Sequence, residues 1–326
     1  MSYRMDRREF LKTVGTIGVA AWAATTFPWQ QLALAAEAAS EPATKPAGPF
    51  FFIQMTDPQV GWGPLEEWRT AIRLANRLKP AFIVVTGDLL NREAEVAKTK
   101  PEQDATQLKD FNDVVGELDK SIPLHLLAGN HDVCNFPTPE TLAWYEKNFG
   151  KPWYSFAHGD CFFVAMESDI LKHPGDAKDL PERELAWVRQ TLQSAAKESY
   201  RHKMVFMHHS ICLTKPDEKE DYFCLPMPVR KELLELFHAT GVEAVFSGHL
   251  HKNAYAKDGK LELITSGSCG KTLGKDPVGF RIVKVLPDRI EHQYYGWKDM
   301  PEKIDLAAPL PAPGPTTEPT TAAAPA

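Results

Sequence analysis

Between residues 50 and 295 the chain alternates short apolar runs with amphipathic segments, and this alternation limits the fold more than any other feature. Phe50 to Met55, Ala81 to Thr86, Ile122 to Leu127, Cys161 to Met166, Lys203 to Met207 and Glu243 to Phe246 have the length and continuity of buried strands. Leu65, Trp68, Ile72, Ala75 and Leu78 recur at helical spacing, and Pro80 closes that helix. Leu108, Phe111, Val115 and Leu118 mark a second helix, and others are expected around Glu182 to Leu192 and Val229 to His238. Leu261 to Ile264 and Phe280 to Tyr295 read as strands, with turns at Asp258-Gly259 and Pro287-Asp288. Alternating strands and helices followed by a strand-rich end predict an α/β core with two packed sheets.

In open α/β sheets, ligand-binding groups gather at the carboxyl ends of strands. Here five apolar runs end in groups that bind metals or move protons. Asp57-Pro58-Gln59 follows the first, Gly87-Asp88-Leu89-Leu90-Asn91 the second and Gly129-Asn130-His131-Asp132 the third. His208-His209 follows the Lys203 run, and Gly248-His249-Leu250-His251 follows the Glu243 run. Taken singly, each is an ordinary structural or solvated group. The ordered set is not, and the glycines before Asp88 and Asn130 suit a close approach of backbone.

With these motifs, residues 50 to 295 resemble the calcineurin-like metallophosphoesterase superfamily. The G-D-x-x-N, G-N-H-D and G-H-x-H elements stand in that family's order. The resemblance implies a four-layer αββα sandwich, two mixed sheets flanked by helices, spanning residues 50–298. It implies two metal ions, with Asp57, Gln59, Asp88 and His251 around the first and Asp88, Asn130, His208 and His249 around the second. Asp88 would bridge them. Mixed oxygen and nitrogen ligands suit Mn, Fe, Zn or Co. Such a pair clamps a phosphoryl group and makes a nucleophilic hydroxide from the water between the ions near neutral pH. The implied reaction is hydrolysis of a phosphate ester, monoester before diester, with a small phosphorylated molecule or a phosphoprotein as substrate.

Gln59 departs from the commoner D-x-H pattern, which makes the first site harder and looser. D-P-Q openings resemble a single-domain subgroup, some of whose members are classed as Ser/Thr protein phosphatases. Incomplete occupancy of the first site, and a non-catalytic protein that retains one metal to hold phosphorylated ligands, are the alternatives that Gln59 leaves open. His131 matches a position expected to act as general acid or to stabilise the transition state. Asp132 is either its orienting partner or a cap on the next turn. Asn91 is a contact to substrate or a loop brace, and His209 a pocket wall or a substrate contact. Lys271, in Ser266-Gly267-Ser268-Cys269-Gly270-Lys271, either reaches the phosphate or belongs to an ordinary turn. Trp62 lines the pocket mouth or anchors its loop.

The ends of the chain carry a different message. Arg4, Arg7 and Arg8 precede an uncharged run from Val14 to Trp29 and the small-x-small sequence Ala33-Leu34-Ala35, the pattern of a cleaved export signal over residues 1–35. Asp6-Arg7-Arg8-Glu9-Phe10-Leu11-Lys12 resembles a twin-arginine signal. That resemblance implies passage through the twin-arginine machinery and a periplasmic or other extracytoplasmic location, with no membrane span left after processing. Residues 36–49 read as a linker, and 299–326 as a tail rich in Pro, Ala and Thr that buries too little to order. Five cysteines make a poor disulfide framework, with Cys212 and Cys224 the one candidate pair. The net charge of -6, without basic clusters, argues against a nucleic-acid partner.

Overall fold

The computed structural model describes residues 48–310, apart from 96, 97 and 99. The export signal, the linker except its last two residues, and residues 311–326 lie outside these. The elements run β1 (Phe50–Met55), α1 (Leu65–Leu78), β2 (Ile83–Thr86), α2 (Pro101–Val115), β3 (Leu124–Leu127), α3 (Asn130–Val133), α4 (Pro139–Phe149), β4 (Tyr154–His158) and β5 (Cys161–Ala165). They continue with α5 (Ser168–Lys172), α6 (Leu180–Ala195), β6 (His202–Phe206), α7 (Met227–Thr240), β7 (Ala244–Ser247), β8 (Ala254–Asp258), β9 (Leu261–Thr265), β10 (Gly279–Val285) and β11 (Ile290–Gly296).

The strands form two mixed sheets, ordered β11-β10-β1-β2-β3 and β4-β5-β6-β7-β9-β8. Parallel pairing joins β1 to β2 to β3, and β5 to β6 to β7 to β9. Antiparallel strands close three of the edges: β11 on β10, β4 on β5 and β8 on β9. Because side chains alternate along a strand, β1 serves two cores at once. Phe50 and Phe52 enter the layer between the sheets with Phe82, Phe163, Phe206 and Phe246. Phe51, Ile53 and Met55 face Trp68, Ala71 and Ile72 of α1. Burial on both faces explains why β1 reads as an apolar run and not as an alternating one.

Phe52 stacks on Phe82 at 4.8 Å and meets Phe163, Phe206 and Phe246 edge-on at 5.7–5.9 Å. Removing one such ring costs about 3–5 kcal/mol, so the cluster firmly sets the spacing of the sheets. On the outer faces α1 packs with α2, where Trp68 stacks on Phe111 at 5.4 Å, and α6 packs with α7. The expected four-layer αββα sandwich is the fold of this chain.

Three details differ from the sequence reading. β3 starts at Leu124 and not at Ile122, because Pro123 has no N–H to give a ladder. The tail does not leave the domain at 299. Met300 is buried, Ile304 and Leu306 pack on the core, the buried Lys284 ammonium donates to the Ala308 carbonyl, and Leu310 N–H donates to Glu291. The five cysteines are buried free thiols, so Cys212 and Cys224 are not joined. No helix among the described residues is long and apolar enough to cross a membrane.

Candidate metal centre

The loops that follow β1, β2, β3, β6 and β7 converge at one end of the two sheets. Asp88, His208 and His249 present ligand atoms within 4.8 Å of one another, and so do Asp57, Asp88 and His251. Asp88 belongs to both groups. All five residues are buried. Gln59 and Asn130 join them: Gln59 Nε2 lies 3.1 Å from Asp88 Oδ2, and Asn130 Oδ1 lies 3.1 Å from His208 Nε2.

The backbone is bent to bring these groups together. Among the described residues, seven non-glycine residues have positive φ, and five of them are Asp57 (51°), Gln59 (34°), Asp88 (52°), His249 (66°) and His251 (55°). This left-handed region is unfavourable for residues with a Cβ, and strain of this kind persists where the surroundings impose it, often at functional sites. Glycine supplies the close approaches. A Cβ on Gly87 (φ 93°) would lie 2.5 Å from His208 Nδ1, and one on Gly129 would lie 2.4 Å from the Asp88 nitrogen.

Hydrogen bonds fix which atom of each group faces the centre. His208 Nδ1–H donates to the Thr86 carbonyl at 2.9 Å, and His251 Nδ1–H to the Lys271 carbonyl at 2.5 Å, leaving both Nε2 lone pairs inward. This is the support that metal-binding histidines ordinarily have. Asp57 Oδ2 accepts from Thr56 Oγ1 at 2.6 Å and from the His249 N–H at 3.1 Å, so Oδ1 is the inward oxygen. The His131 N–H donates to Asp88 Oδ1 at 2.8 Å. Ser168 Oγ accepts from the N–H groups of His208 and His209 at 3.1 and 2.8 Å, holding the turn that carries both.

Three buried atoms of these side chains have no hydrogen-bond partner: Asp57 Oδ1, Gln59 Oε1 and His249 Nε2. Leaving a buried polar group unpaired costs about 1–3 kcal/mol, and a cation among these side chains would relieve Asp57 Oδ1 and His249 Nε2 as they stand, and Gln59 after its amide turns. Burial pushes the Asp57 carboxyl up and the His249 imidazole well down, the latter helped by His209 and His208. His249 is therefore neutral and able to offer a lone pair, and positive charge at this point would oppose the upward push on Asp57 and favour its carboxylate. Burial also depresses His208, but Asp88, Asp57 and the Thr86 carbonyl outweigh it and leave its imidazole raised. The donor set of carboxylates, imidazoles and amide oxygens fits divalent or trivalent transition metals.

Other expected site residues take quieter places. Asp132 does not orient His131. Its carboxylate accepts the Leu89, Leu90 and Gly129 N–H groups at 2.9–3.2 Å, the capping alternative, because the short α3 places it one turn past Gly129. The partner of His131 is the Arg92 carbonyl, 2.7 Å from Nδ1. Asn91 braces its loop through the backbone, donating to the Val60 carbonyl and accepting from Gln107. His209 is a buried wall, 4.3 Å from the His249 ring and 3.3 Å from Ser168 Oγ. Lys271 lays its ammonium 4.3 Å over the Trp62 ring, and the Gly270 and Lys271 N–H groups are taken by Ser268 Oγ. Trp62 in turn meets His251 edge-on at 5.3 Å.

Sequence reasoning missed Thr56, Thr86, Arg92, Ser168 and Tyr222. Thr56 and Thr86 stand immediately before the Asp57 and Gly87-Asp88 motifs, which is a usable signal; nothing local marks Ser168 or Tyr222.

Beside Glu167 lies a fully buried acid. Glu184 accepts the Glu167 N–H at 2.7 Å, leaves Oε2 unpaired, and is held well above the usual carboxylate range by burial and by Glu167. The folded chain thus keeps a proton that the unfolded chain releases above its ordinary value of 4.5, so this group lowers stability as pH rises past that value. Glu184→Gln keeps the acceptor and removes the titration. Its melting temperature is expected to exceed the parent's at pH 8, with a smaller gain at pH 5. Thermal melts at the two pH values check this; an equal gain at both contradicts it.

A family model described as calcineurin-like phosphoesterase matches residues 52–253. The serine/threonine-protein phosphatase CPPED1 of Bos taurus is 37% identical over 275 residues, covering 78% of this chain and 86% of that protein. Its Homo sapiens counterpart is 35% identical over 276 residues with the same coverage. Among solved structures, a dimetal phosphatase from Danio rerio superposes with a TM-score of 0.60 at 16% identity, covering 79% of this chain and 97% of that one. Sequence, fold and converging ligands agree: the chain belongs to the calcineurin-like phosphoesterase family and is a metal-dependent hydrolase of phosphate esters.

Proposed function

We propose that the chain is a phosphomonoesterase with two metal ions, one held by Asp57, Gln59, Asp88 and His251 and the other by Asp88, Asn130, His208 and His249. The observation that carries this reading is the sharing of Asp88 by two ligand groups, beside three buried atoms that lack partners. When bound, the ions neutralise phosphoryl oxygens and lower the pKa of a water. The chain's own residues do the rest. A half-turn of the Gln59 amide would exchange its Nε2 for the unpaired Oε1 beside Asp88. His131, tethered through Nδ1, is free to donate from Nε2 to the leaving-group oxygen once protonated.

The CPPED1 relatives, named as protein phosphatases, support a phosphomonoester over a diester. The Mn-loaded chain is expected to carry two metal equivalents and to hydrolyse p-nitrophenyl phosphate faster than bis(p-nitrophenyl) phosphate. A faster diester reaction would make it a phosphodiesterase. One equivalent with no turnover of any ester would make it a binder of phosphorylated ligands.

The proposal extends to location: the Arg7-Arg8 signal sends the folded, metal-loaded protein through the twin-arginine route to the periplasm or another extracytoplasmic space. Replacing both arginines by lysine is expected to leave uncleaved precursor inside a bacterial host. Normal export of that variant, followed by fractionation and blotting, counts against the route.

A further inference from the structure

The large exposed hydrophobic side chains among the described residues are Phe136, Tyr222 and Leu273, at 58, 37 and 45% exposure. All three belong to segments tied to the metal centre. Phe136 stands three residues beyond α3, which carries Asn130. The Tyr222 hydroxyl accepts from Asn130 Nδ2 and donates to Asn135 Oδ1, both at 3.3 Å, and its ring lies 4.8 Å from that of His249. The Leu273 N–H donates to the His251 carbonyl at 3.2 Å. Exposed apolar groups scattered singly need no explanation, but Tyr222 is half-open to solvent while its own side chain touches Asn130 and His249, which places an aromatic face beside the centre.

Tyr222 is also held still. Its segment, residues 211–226, contains no glycine and is pinned from within. The buried Arg230 guanidinium donates to the Pro216, Glu218 and Leu225 carbonyls at 2.9–3.1 Å. The Glu218 carboxylate accepts the N–H groups of Leu213, Thr214 and Lys215. Asp221 Oδ1 accepts those of Phe223 and Cys224, and Lys172 Nζ reaches the Asp221 and Cys224 carbonyls at 2.5 Å. These internal bonds hold the β6–α7 connection together and present the Tyr222 ring in a fixed pose, which lowers the ordering cost of binding against it.

We infer that Tyr222 is a specificity-determining residue, the platform on which the leaving group of the ester packs, and that the favoured substrates are phosphate monoesters with an aromatic or bulky apolar leaving group. This rests on the phosphomonoesterase reading for its chemistry but not for its test. Phenylphosphonate and methylphosphonate carry the same anionic group and cannot be hydrolysed at an ester bond. Their affinities for the Mn-loaded full chain, measured by calorimetry, isolate the contribution of the ring. The parent is expected to favour phenylphosphonate about threefold to tenfold. Tyr222→Phe keeps that preference; Tyr222→Ala and Tyr222→Leu bring the ratio toward one while the bound metal stays at the parental level. A parental ratio of one, or a preference that survives in both Tyr222→Ala and Tyr222→Leu, overturns the assignment. If the preference follows Tyr222 as described but the parent hydrolyses no ester, Tyr222 remains the platform for the organic group of a bound phosphorylated ligand and the phosphomonoesterase reading falls.

Discussion

Asp88→Asn is expected to slow hydrolysis of an aryl phosphate monoester by on the order of a thousandfold or more. The substitution is nearly isosteric and keeps an oxygen for the His131 N–H, which Asp88 Oδ1 accepts at 2.8 Å. What it removes is the negative charge common to the Asp88-His208-His249 and Asp57-Asp88-His251 groups. Lewis-acid stabilisation of phosphoryl charge is worth several kcal/mol, and each 1.36 kcal/mol is a factor of ten in rate. Loss of one shared carboxylate touches both groups at once, whereas a change at Gln59 touches one. Steady-state kcat with Mn, alongside metal content, checks this. A variant within tenfold of the parent would remove Asp88 from its bridging place.

His131→Asn tests the second chemical role. His131 contributes its backbone N–H to Asp88 and its Nδ1–H to the Arg92 carbonyl, and belongs to neither ligand group. Arg92 is itself fixed, buried against Asp104 at 2.8 Å and stacked over Trp144 at 3.6 Å, so the imidazole is positioned from the core outward. If Nε2 protonates the leaving oxygen, an alkyl phosphate with a poor leaving group should lose about 10²–10⁴-fold in kcat. A nitrophenyl ester, whose leaving group needs no proton, should lose much less, and bound metal should be unchanged. Equal losses on the two esters would assign His131 to charge stabilisation and not to proton transfer.

The sheets were legible because their strands are buried on both faces and stand out as apolar runs, and the candidate ligands were legible because each follows such a run. β4 and β8 were not, since Tyr154-Ser155-Phe156 and Ala254-Tyr255-Ala256 lie at sheet edges with one face half open and carry polar groups accordingly. Asp132 shows the limit at the site itself. Its place beside His131 suggests a dyad, but a four-residue helix turns its carboxylate back onto the N–H groups of Leu89 and Leu90, more than forty residues earlier. Only three-dimensional contact reveals such a brace. The same holds for Tyr222, which reaches Asn130 across 92 positions.

The account stands on one carboxylate shared between two cations. Anomalous diffraction from crystals of the Mn-loaded protein, collected at the manganese edge, addresses this directly. Two peaks about 4 Å apart, both at ligand distance from the Asp88 carboxylate, are the expected result. A single peak, or a pair of which one lies beyond the reach of Asp88, would contradict it.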